Sequence, residues 1–441
     1  MRPWHYKGLC AAVLAAAAVM TSGCSRTQMN YQIAESIGTS GKYENNEPVE
    51  TPQMKAKREQ ESEAAAAEAA FAELLNNAET LALSYKFDEA LAYLDTLTAD
   101  TESQKEALAE AQQKYQEAAA SMTVYDFSTP VPHLCFPGLI YDTSMAFDGD
   151  DRTYNYENNK VTVKEFNSIL ESLYENGYIL ISQQNIAKFT TDDRGVDMME
   201  TQELKLPEGK KPIIISQDNL NYADVTRGDG IADRLVLNSE GHVKAQYTDA
   251  NGKDLAGDYD LIPVLDAFVE DHPDFSYGGA KGIISVSGSQ GVFGYDISSS
   301  AITDNSANQQ KVKQIAAALR ADGWEIASAG YSHGYMNNMS MQQLTEDISK
   351  WKDEVGSLVG DTSILFYPYG GEVQYPGEGL TYLTDNNFRY LCGLWGDTDY
   401  TDIQETYMRQ TRRFIDGYAL KNAGNYFTAF FDVNSILDED R

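Results

Sequence analysis

Four apolar runs from Pro212 onward each end in polar and aromatic residues. Pro212-Ile213-Ile214-Ile215 leads into Ser216, Gln217, Asp218 and Asn219. Trp324-Glu325-Ile326-Ala327-Ser328 leads into Ala329, Gly330, Tyr331, Ser332 and His333. Ser363-Ile364-Leu365-Phe366 is followed by Tyr367, Pro368, Tyr369 and Gly370, and Arg389-Tyr390-Leu391-Cys392 by Gly393, Leu394, Trp395, Gly396 and Asp397. A carboxylate such as Asp218 can take a proton as a general base. An imidazole such as His333 can ligate a metal or carry a proton. Tyr and Trp rings offer flat faces to the apolar side of a sugar. Of the five histidines none follows His333, and His133, His242 and His272 lie elsewhere in the sequence. A Gly-x-Ser-x-Gly elbow, a Cys-x-x-Cys pair and a Gly-rich phosphate loop are absent. Asp249 to Asp254 has the look of a calcium loop but lacks its twelfth-position Glu, so it reads as a hairpin turn.

These runs need a frame. Val163 to Asn176 predicts a helix with Phe166, Ile169, Leu170 and Leu173 on one face. Tyr178-Ile179-Leu180-Ile181 and Gly282-Ile283-Ile284-Ser285-Val286 add two strands, and Ile262–Val269 and Val312–Leu319 add two helices. A longer helix is expected from about Met341 to Val355, with Gly356 as its stop. Strands alternating with helices imply a parallel sheet, and six or seven such units in this length favour a closed or nearly closed barrel. Working groups of such barrels sit at the carboxyl ends of the strands, where the polar residues above fall. The section 224–260 breaks the pattern and predicts an inserted β-hairpin, Leu235–Leu237 with Val243–Tyr247.

With these residues in view, the chain from about Pro132 to Asp432 resembles the polysaccharide deacetylases, carbohydrate esterase family four. The similarity rests on Pro132-His133-Leu134-Cys135-Phe136, the helix–Asn-Gly-Tyr–strand unit from Glu165 to Ile181, Lys211 to Ser216, and Pro368-Tyr369-Gly370. It implies an α/β fold, a distorted (β/α) barrel. It also implies removal of acetyl groups from N-acetylated polysaccharides such as peptidoglycan, with zinc or another divalent metal. By this resemblance Asp218 takes the place of the base. The three metal-ligand places hold Asn219, Ala329 and His333, and Tyr367 stands where an Arg usually orients the base. Tyr367, Pro368, Tyr369 and Trp395 would contact substrate. No histidine is left for the general acid. Zinc wants three protein donors plus water, and an amide oxygen and a methyl are poor replacements for two of them, so the metal triad reads as incomplete.

The N-terminus has its own signal. Arg2 and Lys7 precede an apolar stretch, Leu9 to Met20, too short to span a bilayer. Thr21-Ser22-Gly23-Cys24 resembles a lipobox, which implies a signal over 1–23 and lipidation of Cys24. A polar tether over 24–51 follows, then a Gly-free and almost Pro-free helical region over 52–122 with one tetratricopeptide-like hairpin near Tyr85–Leu94. The barrel occupies 130–441. With 34 Lys+Arg against 67 Asp+Glu, the net charge of −33 argues against a nucleic-acid partner. Cys135 and Cys392 are the two cysteines left besides Cys10 of the signal and Cys24, and their pairing is open.

Three functional classes follow: an extracytoplasmic, lipid-anchored protein whose barrel binds glycan without cleaving it; an active metal-dependent N-deacetylase; or a scaffold that recruits a protein partner through the helical hairpin.

Overall fold

The computed structural model describes residues 51–191, 194–222, 226–298, 303–396 and 398–441. The predicted signal, Cys24 and the tether up to residue 50 lie outside the described residues, as does Asp397. The chain divides into two units, Met1–Glu68 and Ala69–Arg441. No described helix is long and apolar enough to cross a membrane.

Helix α1 (Pro52–Leu83) forms from Ala, Glu, Gln and Lys, residues that lose little freedom in a helix. In the first unit it is exposed, and Lys55–Glu59 and Lys57–Glu61 face each other one turn apart. In the second unit its end packs on α2 (Phe87–Leu94) and α3 (Glu102–Ala120) through Ala78, Ala82, Ala90, Leu94 and Tyr115. The predicted hairpin thus covers its apolar face with a third helix. Its turn residue Tyr85 stacks on Tyr277 at 5.6 Å and donates to the Asp274 carbonyl at 2.7 Å, which fastens the helices to the barrel.

The barrel is a ring of seven parallel strands: β1 (His133–Phe136), β3 (Lys211–Gln217), β7 (Ile283–Val286), β8 (Glu325–Ser328), β9 (Ile364–Phe366), β10 (Tyr390–Leu394) and β12 (Met408–Phe414). Around the ring the order is β7-β8-β9-β10-β12-β1-β3, and β3 closes on β7 through Ile283 opposite Ser216; β11 (Thr401–Ile403) pairs antiparallel with β12 off the ring. β2 (Tyr178–Leu180) is not in the ring. It pairs with the first half of β3, which leaves only two residue pairs to close the barrel and distorts it. Helices α4 (Val163–Glu175), α5 (Leu261–Asp271) and α6 (Ser306–Ala321) place Phe166, Ile169, Leu265, Val312 and Ile315 in the main core. Leu344 and Ile348 of α7 (Met341–Lys350) and Leu383 of α8 (Glu378–Asp385) belong to another cluster, with Leu365 and Leu391. The start of α4 is fixed by a capping box: Thr162 accepts from the Glu165 amide and Glu165 accepts from the Thr162 amide.

The structure corrects three readings and answers one question left open. The helix begun at Met341 does not stop at Gly356, whose φ of −55° is helical; the turns continue to Gly360, whose φ of +89° ends them. The insertion is a three-stranded sheet, since β4 (Arg234–Leu237) and β5 (Val243–Thr248) are joined by β6 (Asp254–Gly257). Asp249 turns β5 into β6 by accepting from the amides of Asn251 and Lys253. The apolar runs missed two ring strands, β1 and the Arg-rich β12. Finally, Cys135 and Cys392 are buried free thiols. They sit on β1 and β10 with β12 between, Cys392 opposite Gln410 and Cys135 opposite Phe414, which puts them beyond the reach of a disulfide.

Candidate functional site

A cleft of about 380 Å³ opens at the carboxyl ends of the strands. Asp218, Asn219, His333 and Tyr369 all line it, together with Lys160 and Tyr222. Asp218 and Asn219 follow directly from β3, whose apolar residues 213–215 bury the strand and push its polar end to the mouth.

Asp218 is held from inside the barrel. Arg412 of β12, wholly buried, donates from Nη1 to its Oδ1 at 2.5 Å. The same guanidinium donates from Nε to the Gly393 carbonyl at 3.2 Å and from Nη1 to Cys135 Sγ at 3.3 Å, and it lies 3.9 Å from the centre of the Phe366 ring. Desolvation works against its charge, but Asp218 beside it prevails and holds its pKa above the ordinary arginine value. Ser285 Oγ adds a long contact to Asp218 at 3.4 Å. The resemblance gives the place before Pro368 to an arginine that orients the base. Here Tyr367 stands there, and the arginine comes from another strand.

Below this pair the barrel interior is polar. Buried His133 shares its Nδ1 proton with Gln410 Oε1 at 3.0 Å, which also accepts from Gln183 at 3.0 Å. Burial, with the charge of Arg412, pushes the His133 pKa well below that of free imidazole, so the ring is neutral. It does not reach the cleft.

The three ligand positions offer few donors to a divalent ion. Asn219 Oδ1 accepts the hydroxyl proton of buried Ser287 at 2.7 Å, and its amide donates to Ser285 Oγ at 2.8 Å. Ala329 is buried and has no donor atom. His333 Nδ1 lies 3.2 Å from the Tyr369 hydroxyl. Burial lowers the His333 pKa, and Asp218 opposes the shift. Among the described residues no cluster of three His, Cys, Asp or Glu is placed to hold a metal ion. One imidazole and one amide oxygen already engaged do not fit zinc, which takes three protein donors in catalytic sites. His242 is exposed on the inserted sheet and is not among the cleft residues.

Of the predicted substrate contacts, Tyr369 alone lines the cleft. It is 56% exposed, stacks on Tyr335 at 4.7 Å and meets the His333 ring edge-on at 4.9 Å. Tyr367 is buried with its hydroxyl on that of Tyr375 at 2.8 Å, and Pro368 is buried beside it. Trp395 donates to Glu372 at 2.9 Å and packs on Tyr400 outside the cleft. Trp324 is buried and donates to Asp266 at 2.9 Å.

Four cleft residues other than glycine sit at left-handed φ: Asn219 (47°), Tyr222 (52°), His333 (53°) and Tyr369 (55°). Such backbone costs of order 1–3 kcal/mol per residue and gathers at functional sites. The His333 loop is held by Asp347, which accepts from the amides of Tyr331 at 2.8 Å and Ser332 at 2.9 Å. Gly330 lets it approach, because a Cβ there would lie 2.4 Å from Asp347 Oδ2.

Residues 297–390 match the family model described as polysaccharide deacetylase. That part of the barrel is similar to the polysaccharide deacetylases. The matched stretch carries β8, β9, Ala329 and His333, while Asp218 and Arg412 of the barrel lie outside it. No curated protein matches the chain. Among solved structures, the Streptococcus pyogenes deacetylase PplD in complex with acetate is similar to 66% of this chain over 94% of its own, with 12% identity and a TM-score of 0.37. A likeness of that size carries no weight for the site.

Proposed function

We propose that this chain is a lipid-anchored extracytoplasmic protein whose deacetylase-type barrel binds N-acetylated cell-wall glycan and does not cleave it. One observation carries the reading. Two of the three ligand places in the cleft offer a methyl, Ala329, and an amide oxygen already bonded to Ser287. With no ion to polarise an amide, the cleft keeps what recognition needs: the exposed Tyr369–Tyr335 stack for a pyranose face, and hydrogen-bonding groups from Asn219, Tyr222 and His333. The lipobox-like Thr21-Ser22-Gly23-Cys24 supports the anchor.

A second reading, an active deacetylase, draws on the Asp218–Arg412 pair, which keeps a carboxylate fixed where a base would stand. Titration calorimetry of the full chain with acetylated chito-oligosaccharides, acetate release with and without added zinc, and elemental analysis separate the two. The binding reading expects measurable affinity, no acetate and no stoichiometric metal. Acetate release that disappears in Asp218→Asn, with one zinc per chain, would overturn it in favour of the enzyme.

A further inference from the structure

We infer that the cleft selects glycans bearing a carboxylate and that Lys160 reads that group; the inference rests on the glycan-binding reading above. Lys160 ends a short helix, Thr153–Asn159, and lines the same cleft as Asp218. Its main chain is pinned. The amide donates to the Tyr156 carbonyl at 3.1 Å, and the carbonyl accepts from Arg441 Nη2 at 3.0 Å. Its ammonium, by contrast, makes no hydrogen bond or ion pair among the described residues.

That is unexpected in a chain with 67 Asp+Glu for 34 Lys+Arg, where acidic partners are in excess. The two carboxylates with a claim on Lys160 are already engaged. Asp218 is held by Arg412. Asp260 lends Lys160 a favourable field, but it accepts from the Leu139 amide at 2.8 Å, Gln217 at 3.0 Å and the Tyr222 hydroxyl at 2.6 Å. The site therefore holds a half-buried cation, fixed at its root and free at its tip.

Charge decides the ligand class. Among the described residues Lys160 is a cleft cation with no ion pair, so one negative charge beside it is matched, whereas a second would face Asp218 and Asp260 uncompensated. That favours a carboxylate over a phosphate dianion. On an N-acetylated glycan it is either the lactyl ether carboxylate of a muramic-type sugar or the ring carboxylate of a uronic acid.

The test is calorimetric titration of the full chain with three matched N-acetylated oligosaccharides: one neutral, one with lactyl carboxylates, one with uronic carboxylates. A charge-assisted hydrogen bond predicts about tenfold tighter binding of a carboxylated ligand than of the neutral one. Lys160→Gln should bring that ratio toward one, and Lys160→Arg should keep most of it. The tighter of the two carboxylated ligands identifies the source. Equal affinities in the unaltered chain, or a ratio that survives Lys160→Gln, would refute the role of Lys160 and leave glycan binding standing. If none of the three binds, the glycan-binding reading itself fails.

Discussion

Arg412 and Asp218 should behave as one unit. Arg412→Met keeps the bulk over Phe366 but leaves a carboxylate facing the barrel interior without its counter-charge. Breaking a buried pair costs about 3–5 kcal/mol. Asp218 is 17% exposed at the cleft, so water relieves part of the penalty and about 3 kcal/mol is expected. Asp218→Asn strands a fully buried guanidinium and should cost about the same. The double variant removes both charges, and with them the Arg412 Nη2 group, which has no partner in the interior. With no charge left stranded it should cost less than either single, under about 3 kcal/mol, where independent effects would sum to about 6. Urea unfolding followed by the fluorescence of Trp324, Trp351 and Trp395 reports on the barrel directly. A double variant as unstable as the sum of the singles would show that the two side chains do not depend on each other, and the account of a base held by a relocated arginine would fall.

Two further perturbations test the frame. Burial raises the Glu325 pKa from the ordinary glutamate value to about 7, against the hydrogen bond from Gln184. Between about pH 4.5 and 7 the folded chain keeps a proton that the unfolded chain has released, so this group's contribution is full below about pH 4.5, shrinks as pH rises and is gone above about 7, by roughly 3 kcal/mol in all. Glu325→Gln should remove that slope from the difference in unfolding free energy, measured at several pH values; parallel profiles for the two proteins would contradict it. Arg441 donates to Glu165 at 2.7 Å from Nε and at 2.5 Å from Nη2, with both side chains almost wholly buried. Arg441→Met should lower stability by at least about 3 kcal/mol in urea unfolding, and a loss under 1 kcal/mol would show that water reaches the pair.

The sequence carried most of the barrel because β3, β7, β8, β9 and β10 are short apolar runs ending in polar residues. A strand buried on both faces has no other way to read. Asp218 was legible for the same reason. β12 was not: Met408-Arg409-Gln410-Thr411-Arg412-Arg413-Phe414 reads as a solvated loop. Its polar residues are paired across the fold, Arg409 with Glu372, Arg413 with Asp399, Gln410 with Gln183 and Arg412 with Asp218. The polar interior of the ring makes Gln410 and Arg412 acceptable inward residues, and a pattern that assumes an oily barrel misses them. One clue was present. Tyr367 in place of an arginine left Asp218 without a counter-charge, and a carboxylate at the mouth of a buried strand has to find one. Lys160 was hidden because its significance is the absence of a partner among the described residues, which only the assembled cleft discloses. Tyr367 and Trp395 illustrate the opposite error: an aromatic at a strand end is as easily absorbed by the core as offered to a ligand.

The strained backbone of the cleft argues that its shape is built, even where the ligand places no longer suit a metal. Seven described non-glycine residues have left-handed φ, and four of them line this one cavity. At 1–3 kcal/mol each they tie up several kcal/mol, a sizeable share of the roughly 5–15 kcal/mol by which a folded protein is usually stable. Barrel closure does not require it, since glycine at Gly330 and Gly370 makes left-handed turns nearby without that cost. What each strained residue gains is a placed side chain: Asn219 on Ser287, Tyr222 on Asp260, and His333 and Tyr369 on each other. A cavity kept only as a by-product of folding would have no use for such placement. A cavity that recognises a sugar would, because recognition depends on where hydrogen-bonding groups and ring faces stand and does not depend on an ion between them.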